Sequence, residues 1–233
     1  MTGTLHVIPV TGIGEIRPGD DLPAVIAAHA VLEDGDVVVV TQKVVSKSER
    51  RLVEVGDDEE AARARIIEEE SVRVLRRRDQ LVISETRHGF VCANAGVDFS
   101  NVDEGWAALL PEDPDRSARR IRDALRAATG RRVGVIVSDT FGRPWRKGVT
   151  DVAIGVAGVA AVVDLRGSPD ANGRLLQATE VCVADEIAAA ADLVMGKASG
   201  VPVAVVRGVD GSWLRQGSVA GEVVRPPAED LFR

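Results

Sequence analysis

Gln80-Leu-Val-Ile-Ser-Glu-Thr-Arg-His88-Gly89-Phe90-Val-Cys-Ala-Asn94-Ala-Gly-Val-Asp98 is the stretch on which the fold class turns. Two Val/Ile-bearing runs, Gln80–Ser84 and Phe90–Asn94, flank a His88-Gly89 turn signal, so the stretch reads as an antiparallel hairpin. Outward from it, strand-like runs at Leu5–Val10, Asp36–Thr41, Arg132–Ser138 and Pro202–Arg207 end at polar or Gly residues. Helical patterns separate them. Leu22–Val31 follows a capping Asp21 with Pro23 in its first turn, and Glu59–Leu75 carries apolar residues at helical spacing. Ser117–Ala128 stops at Gly130, and the Ala-rich Val183–Met195 stops at Gly196. Strand–helix alternation alone suggests βαβ units and a parallel sheet. The hairpin turns that expectation into a mixed β-sheet with packed helices, an α+β class. Neither G-x-G-x-x-G after a strand nor G-x-x-x-x-G-K-[ST] occurs, which disfavours the standard dinucleotide and P-loop binding modes.

The chain has 233 residues, 45% of them hydrophobic, enough for one large domain or two small ones with a real core. Aromatic residues make up only 3%, with no Tyr, and the net charge is −7. Both features weigh against a nucleic-acid partner, which needs stacking platforms and cationic surface. Met1–Val10 lacks a basic segment followed by an apolar one, and the longest apolar stretch, Val152–Val163, is short and broken by Gly155 and Gly158. The expectation is a soluble, cytoplasmic protein with no membrane association. Cys92 and Cys182 lack metal-ligand spacing and read as two small buried hydrophobes in a reducing compartment. The tail Gly208–Arg233 is punctuated by Gly and Pro and resists assignment.

Chemistry concentrates in three segments. Val133-Gly-Val-Ile-Val-Ser-Asp139-Thr140-Phe-Gly-Arg143-Pro-Trp-Arg146-Lys147-Gly148 reads as a buried strand ending at Asp139-Thr140, then a basic loop. A carboxylate beside a hydroxyl supplies hard oxygens for Mg²⁺ or Mn²⁺, and Arg143 and Arg146 could clamp phosphoryl oxygens. The plain alternative is an Asx-turn with a solvated loop. Asn94-Ala-Gly96-Val-Asp98-Phe-Ser100-Asn101 is a second acidic turn, whose Asp98 could share a cation with Asp139. Thr41-Gln42-Lys43-Val-Val-Ser46-Lys47 ends a third strand and offers an anion site, or simply a solvated lysine face. Glu68-Glu69-Glu70 with Arg76-Arg77-Arg78 reads as a solvated helix and its basic end. The Asp185-Glu186 pair suits a helix surface or N-terminus as well as a site. His6, His29 and His88 are scattered, and no G-x-S-x-G elbow supports a nucleophile.

Taken in order, the segments resemble the coenzyme F-420-0:L-glutamate ligase family, the gamma-glutamyl ligases of deazaflavin biosynthesis. The matching stretches are Pro9–Ile13 with Pro18–Leu22, Gly35–Val40 with Val45–Lys47, and Asn94–Asp98 with Ser100-Asn101. They continue through Ser138–Thr140 with Gly142-Arg143, Ala153–Gly155 with Ala157-Gly158, Val183–Ala188 through Gly196, and Pro202–Gly208. The resemblance covers nearly the whole chain and implies one domain over residues 1–233, forming an intertwined homodimer. It also implies a ligase using GTP, divalent Mg²⁺ or Mn²⁺, and a monovalent cation in addition. In such a ligase the carboxylate of the deazaflavin precursor is phosphorylated by GTP and then captured by the amine of L-glutamate. Further gamma-linked glutamates can follow.

By the same resemblance, Asp98 and Asp139 are metal ligands, and Thr140 contacts a second ion. Ile13, Gly14, Glu15, Ile16, Gln42, Lys43, Lys47 and Asn101 fall at GTP contacts, with Met195 to Pro202 a further nucleotide-side segment. Arg143 and Arg146 as phosphate clamps rest on charge and placement alone. Two positions depart from the pattern. Lys197 stands where some relatives have an acidic or amide metal ligand, and Asn172 stands where relatives often have Tyr. Two other functions fit the same residues: a carboxylate–amine ligase with another acceptor, or a non-catalytic nucleotide-binding domain.

Overall fold

The structure is a computed structural model that describes residues 3–56, 58–100 and 102–230. In chain order its elements are β1 (His6–Pro9), α1 (Leu22–His29), β2 (Val37–Thr41), α2 (Gln42–Ser48), β3 (Leu52–Glu54), α3 (Glu59–Glu69), β4 (Ser71–Arg78), β5 (Leu81–Thr86) and β6 (Val91–Ala93). There follow β7 (Trp106–Ala108), α4 (Pro114–Thr129), β8 (Gly134–Arg143), β9 (Arg146–Ala157), β10 (Val163–Asp164), β11 (Glu180–Val181), α5 (Val183–Met195), β12 (Val203–Arg207) and α6 (Val219–Glu222).

The main sheet has the order β1-β12-β2-β8-β9. β2 and β8 run parallel, with Val37 opposite Gly134 and Thr41 opposite Ser138. The other neighbouring pairs are antiparallel, so the sheet is mixed. Val38, Val40, Val135 and Val137 pack with Leu22 and Ile26 of α1 and with Ala118, Ile121 and Leu125 of α4. The alternate residues Val37, Val39 and Ile136 pack on the other face with Ala184, Ile187, Ala188 and Met195 of α5. Strands covered on both faces need no polar side, which is why these runs are continuously apolar. Each such buried Val or Ile stabilises the fold by about 1.5–3 kcal/mol. Among the described residues, no helix is long and apolar enough to cross a membrane.

A smaller sheet, β4-β5-β6, packs with α3 around Ile66, Ile67, Val82, Ala95 and Val97. The expected hairpin is present, with Gly89 at φ +82° in its turn. His88 stacks on Phe90 at 5.5 Å between centroids, and its Nε2 donates to the Pro111 carbonyl at 3.0 Å.

Two local expectations are corrected. The helix from Glu59 stops at Glu69, and Arg76-Arg77-Arg78 lie on β4 rather than at a helix end. There Val72 and Val74 alternate with arginines, and β5 takes up the backbone hydrogen bonds, with Arg76 opposite Ile83 and Arg78 opposite Leu81. Secondly, β8 does not end at Asp139-Thr140. It runs on to Arg143 and turns at Pro144-Trp145 into β9. As expected, the strand ends at Thr41; Lys43 and Lys47 follow it on helix α2, one turn apart, with Val45 between them buried in the core.

Helix α4 begins where Asp113 accepts from Arg116 N at 2.8 Å and ends at left-handed Gly130. In its first turn the buried Asp115 carboxylate accepts from Val156 N at 2.8 Å, Val219 N at 3.0 Å, Ala220 N at 3.2 Å and Ser218 Oγ at 2.7 Å. One side chain thus ties α4 to β9 and α6. Beside it, a Cβ on Gly155 would meet the Pro114 carbonyl at 2.3 Å, so the strand passes the helix only as Gly. Asp115→Ala is expected to cost about 3 kcal/mol or more, since buried donors lose their acceptor. Urea unfolding should show this as a lower midpoint at unchanged slope.

Candidate functional site

The pairing of β8 with β9 slips by one residue just before the polar segment. Val137 faces Gly155 but Ser138 faces Ala153, leaving Ile154 as the extra residue of a bulge. Bulges re-aim side chains, and this one sets Thr140 opposite Asp151. Thr140 Oγ1 donates to Asp151 Oδ1 at 2.6 Å and Ser138 Oγ donates to Oδ2 at 3.0 Å. From the end of α5, the Lys197 ammonium pairs with Asp151 at 3.0 Å and Asp192 at 3.5 Å, and donates to Thr140 Oγ1.

Asp98 arrives from the smaller sheet. Asn94, Ala95 and Gly96 take φ of +52°, +55° and +70°, a left-handed run that costs about 1–3 kcal/mol at each non-Gly position. The surroundings enforce it. Asn94 Oδ1 accepts from Val82 N at 3.0 Å, Ala95 is buried, and a Cβ on Gly96 would strike Leu110 at 2.7 Å. Asp98 then exchanges backbone hydrogen bonds of 2.9 and 2.8 Å with Ala108. Its Oδ1 accepts from Ser100 N and Oγ at 2.8 and 2.7 Å, and Oδ2 pairs with Lys43 at 2.8 Å.

These groups face a cleft of about 730 Å³ whose walls include Ile13 to Ile16, Gln42, Lys43, Lys47, Asp98, Asp139 and Thr140. Gly196, Lys197, Gly200 and Pro202 also line it, so much of the segment expected on the nucleotide side stands on this wall. A second cavity of about 480 Å³ contains Arg63, Asn94 and Phe99 in its lining and shares Asp98, Ser100, Asp139 and Thr140 with the first. The two cavities therefore meet at the carboxylates.

Burial, reinforced by the charges of Asp98 and Asp151, pushes the Asp139 carboxyl up to about 7. Burial pulls the Lys197 ammonium down, but Asp151 and Asp192 overcome it and hold it above its ordinary range. Gln42 is buried; its Oε1 accepts from Ser46 Oγ at 2.9 Å while its Nε2 has no partner, a donor without an acceptor in the cleft wall. Lys47 pairs with Glu15. Burial pushes the thiols of Cys92 and Cys182 up to about 12, so neither offers a nucleophile near neutrality. The donor chemistry at Asp98, Asp139 and Thr140 suits a hard cation. Among the described residues no group of three His, Cys, Asp or Glu side chains is placed to hold an ion. Hydroxyl, water or phosphate oxygens would complete any coordination, as is usual for Mg²⁺.

Arg143 and Arg146 stand apart from both cavities. They pair at the exposed tip of the β8–β9 hairpin, where Arg143 Nη2 donates to the Lys147 carbonyl at 3.1 Å. Asn172 occupies an exposed turn, its backbone N–H bonded to Asp170 Oδ1 at 2.8 Å. Asn101 lies outside the described residues. Sequence reasoning passed over Asp151, Asp192 and Arg63. The one signal for Asp151 was a lone acidic residue at the start of an apolar run; its partner Thr140 is set by a bulge that no spacing announces.

Fold and site together define a mixed-sheet α+β protein whose two joined cavities set aspartates against lysines at a shared junction. The chain belongs to the F420-0:Gamma-glutamyl ligase family, whose sequence profile matches residues 12–208. It is similar to the coenzyme F420:L-glutamate ligase of Methanothermobacter thermautotrophicus, at 42% identity over 98% of this chain and 99% of that one. The enzyme of that name from Methanopyrus kandleri is 43% identical over 99% of this chain and 98% of its own length. The one from Archaeoglobus fulgidus is 44% identical, covering 98% and 96% respectively.

An amide in place of Asp139 carries no charge to desolvate beside two other carboxylates. With chelator present at pH 8, Asp139→Asn is expected to raise the thermal midpoint by about 2–4 °C, the shift about 1 kcal/mol gives in a chain this size. Scanning calorimetry of the two proteins checks it.

Proposed function

We propose that this chain joins L-glutamate to the free carboxylate of coenzyme F420-0 at the expense of GTP, and can add further gamma-linked glutamates. Family membership and the names of its relatives support the ligation and its substrates. The observation that carries the reading is the meeting of two cavities at Asp98 and Asp139. A ligase that activates a carboxylate must bring phosphoryl donor, acceptor and amine to one point, and a shared junction does that. GTP as the donor follows from the family resemblance, since the chain has no N-K-x-D guanine-reading motif.

In this reading the larger cleft takes the nucleotide, with Lys43 and Lys47 facing phosphates and the unpartnered Gln42 Nε2 finding an acceptor there. Asp98 and Asp139 would hold a Mg²⁺ or Mn²⁺ ion, which neutralises charge on phosphoryl oxygens. The Lys197 ammonium already shares Thr140 and Asp151, so a second ion beside Thr140 requires Lys197 to swing aside. The acceptor carboxylate oxygen attacks the γ-phosphorus and GDP leaves. The glutamate ammonium gives one proton to water, the freed amine attacks the acyl carbon, phosphate leaves, and the nitrogen sheds its second proton as the amide forms.

A homodimer belongs to the same proposal. The hairpin tip carries Trp145 at 84% exposure, an apolar ring suited to burial against a second copy. Arg143 and Arg146 act as phosphate clamps only if this hairpin reaches the partner's cleft. Light scattering should then give twice the 24.7 kDa chain mass.

Incubation with GTP, Mg²⁺ or Mn²⁺, L-glutamate and precursor should yield GDP and products heavier by whole glutamyl increments, read by mass spectrometry. Asp98→Ala and Asp139→Ala should each lower turnover by about 10²–10³-fold or more while the protein stays folded. A precursor mass unchanged by the wild-type chain under varied metal conditions overturns the proposal.

A further inference from the structure

The smaller cavity is left without an occupant once the nucleotide is assigned to the larger cleft. Its lining joins one cation, Arg63 of α3, to the Asp98–Asp139 junction, with Phe99 and Asn94 between chain segments from the smaller sheet. The Arg63 guanidinium lies over the Phe99 ring, 4.0 Å from carbon to centroid, a contact that fixes its plane. Its ion pair is loose: Nη1 lies 3.9 Å from Glu59, which also lines the cavity and whose side chain is 74% exposed. Its buried Nε has no hydrogen-bond acceptor. An arginine oriented in a cavity with a donor unused matches the planar fork that carboxylates accept in two places.

We propose that this cavity receives the incoming amino acid, with a carboxylate of L-glutamate on Arg63 and the amine directed toward the Asp98–Asp139 junction. The assignment rests on the ligase reading above and adds which cavity takes which substrate. Charge pattern decides it. Free glutamate carries two carboxylates and a nitrogen that must reach the activated acyl group; this cavity offers a guanidinium on the α3 wall, which the larger cleft lacks, and opens onto the junction. The larger cleft has its lysines committed to phosphate and its own wall of aspartates. The Phe99 ring covers the aliphatic carbons, and about 480 Å³ holds an amino acid together with the end of the acceptor. Bound this way, the nitrogen lies beside the point where the acyl group is activated.

Steady-state kinetics of Arg63→Gln tests it. The KM for L-glutamate should rise about 10–100-fold, as expected when hydrogen bonds to a charged group are lost. The KM for GTP and for the precursor should stay within about twofold, a split that general destabilisation would not produce. Arg63→Lys keeps the charge without the fork and should raise the glutamate KM by an intermediate factor, which secures the test if the Gln variant folds poorly. A rise in the precursor KM instead assigns the cavity to the acceptor and overturns the proposal; so do unmoved KM values in both variants. Wild-type protein that leaves the precursor unchanged overturns the ligase reading and this assignment together, whereas active wild type with an unmoved glutamate KM overturns the assignment alone.

Discussion

The bulge at Ile154 is the constraint on which both the fold and the site depend. On one side of it, β8 and β9 are core strands, buried between α1 and α4 on one face and α5 on the other. On its other side the same two strands carry Ser138, Asp139, Thr140 and Asp151. A one-residue change of register exchanges the faces of a strand, so the position of the bulge decides which polar groups oppose one another. Two carboxylates hold it from the helix layers. Asp115 in the first turn of α4 accepts from Val156 N at 2.8 Å, and Asp185 in the first turn of α5 accepts from Ala153 N at 2.9 Å. The bulge is thus braced from both sides of the sheet.

The site is built on unfavourable electrostatics that the rest of the chain supports. Burial makes charge at Asp139 costly, and the charges of Asp98 and Asp151 add to that cost. Lys43 and Lys197 offset part of that charge through direct pairs with Asp98 and Asp151. Such a cluster costs stability in the free protein, and a cation or cationic group beside it would offset that cost. The left-handed run at Asn94 and Ala95 is strain of the same kind, stored where the smaller sheet hands Asp98 to the junction. An overall charge of −7 is compatible with anionic reactants because the lysines are concentrated at the cleft.

Much of the architecture was legible in the residues. The hairpin across His88-Gly89, the mixed sheet, the Asp21 cap and the span of α5 follow from local patterns that act over a few residues. The larger cleft also gathers Ile13 to Ile16, Gln42, Lys43, Lys47, Asp98, Asp139 and Thr140, residues that lie far apart in sequence. Where reading failed, competing interactions decided. Ser71–Arg78 continues a helical charge pattern but pairs with β5, because sheet hydrogen bonds outweigh a weak helical preference. Asp139-Thr140 resembles a strand end, yet the strand runs on because β9 supplies partners as far as Arg143.

By itself the sequence determined the class of fold, the helix caps and the candidate set of aspartates and lysines, since these depend on side-chain chemistry and short-range periodicity. Tertiary structure alone decided that Asp151 joins Thr140, that Lys197 reaches across to both, and that Arg143 and Arg146 stand away from their own cleft. It also decided that Arg63 borders the carboxylates at all. The reason is register and packing: a single bulged residue and a helix docked on a small sheet set distances between positions that no local rule connects.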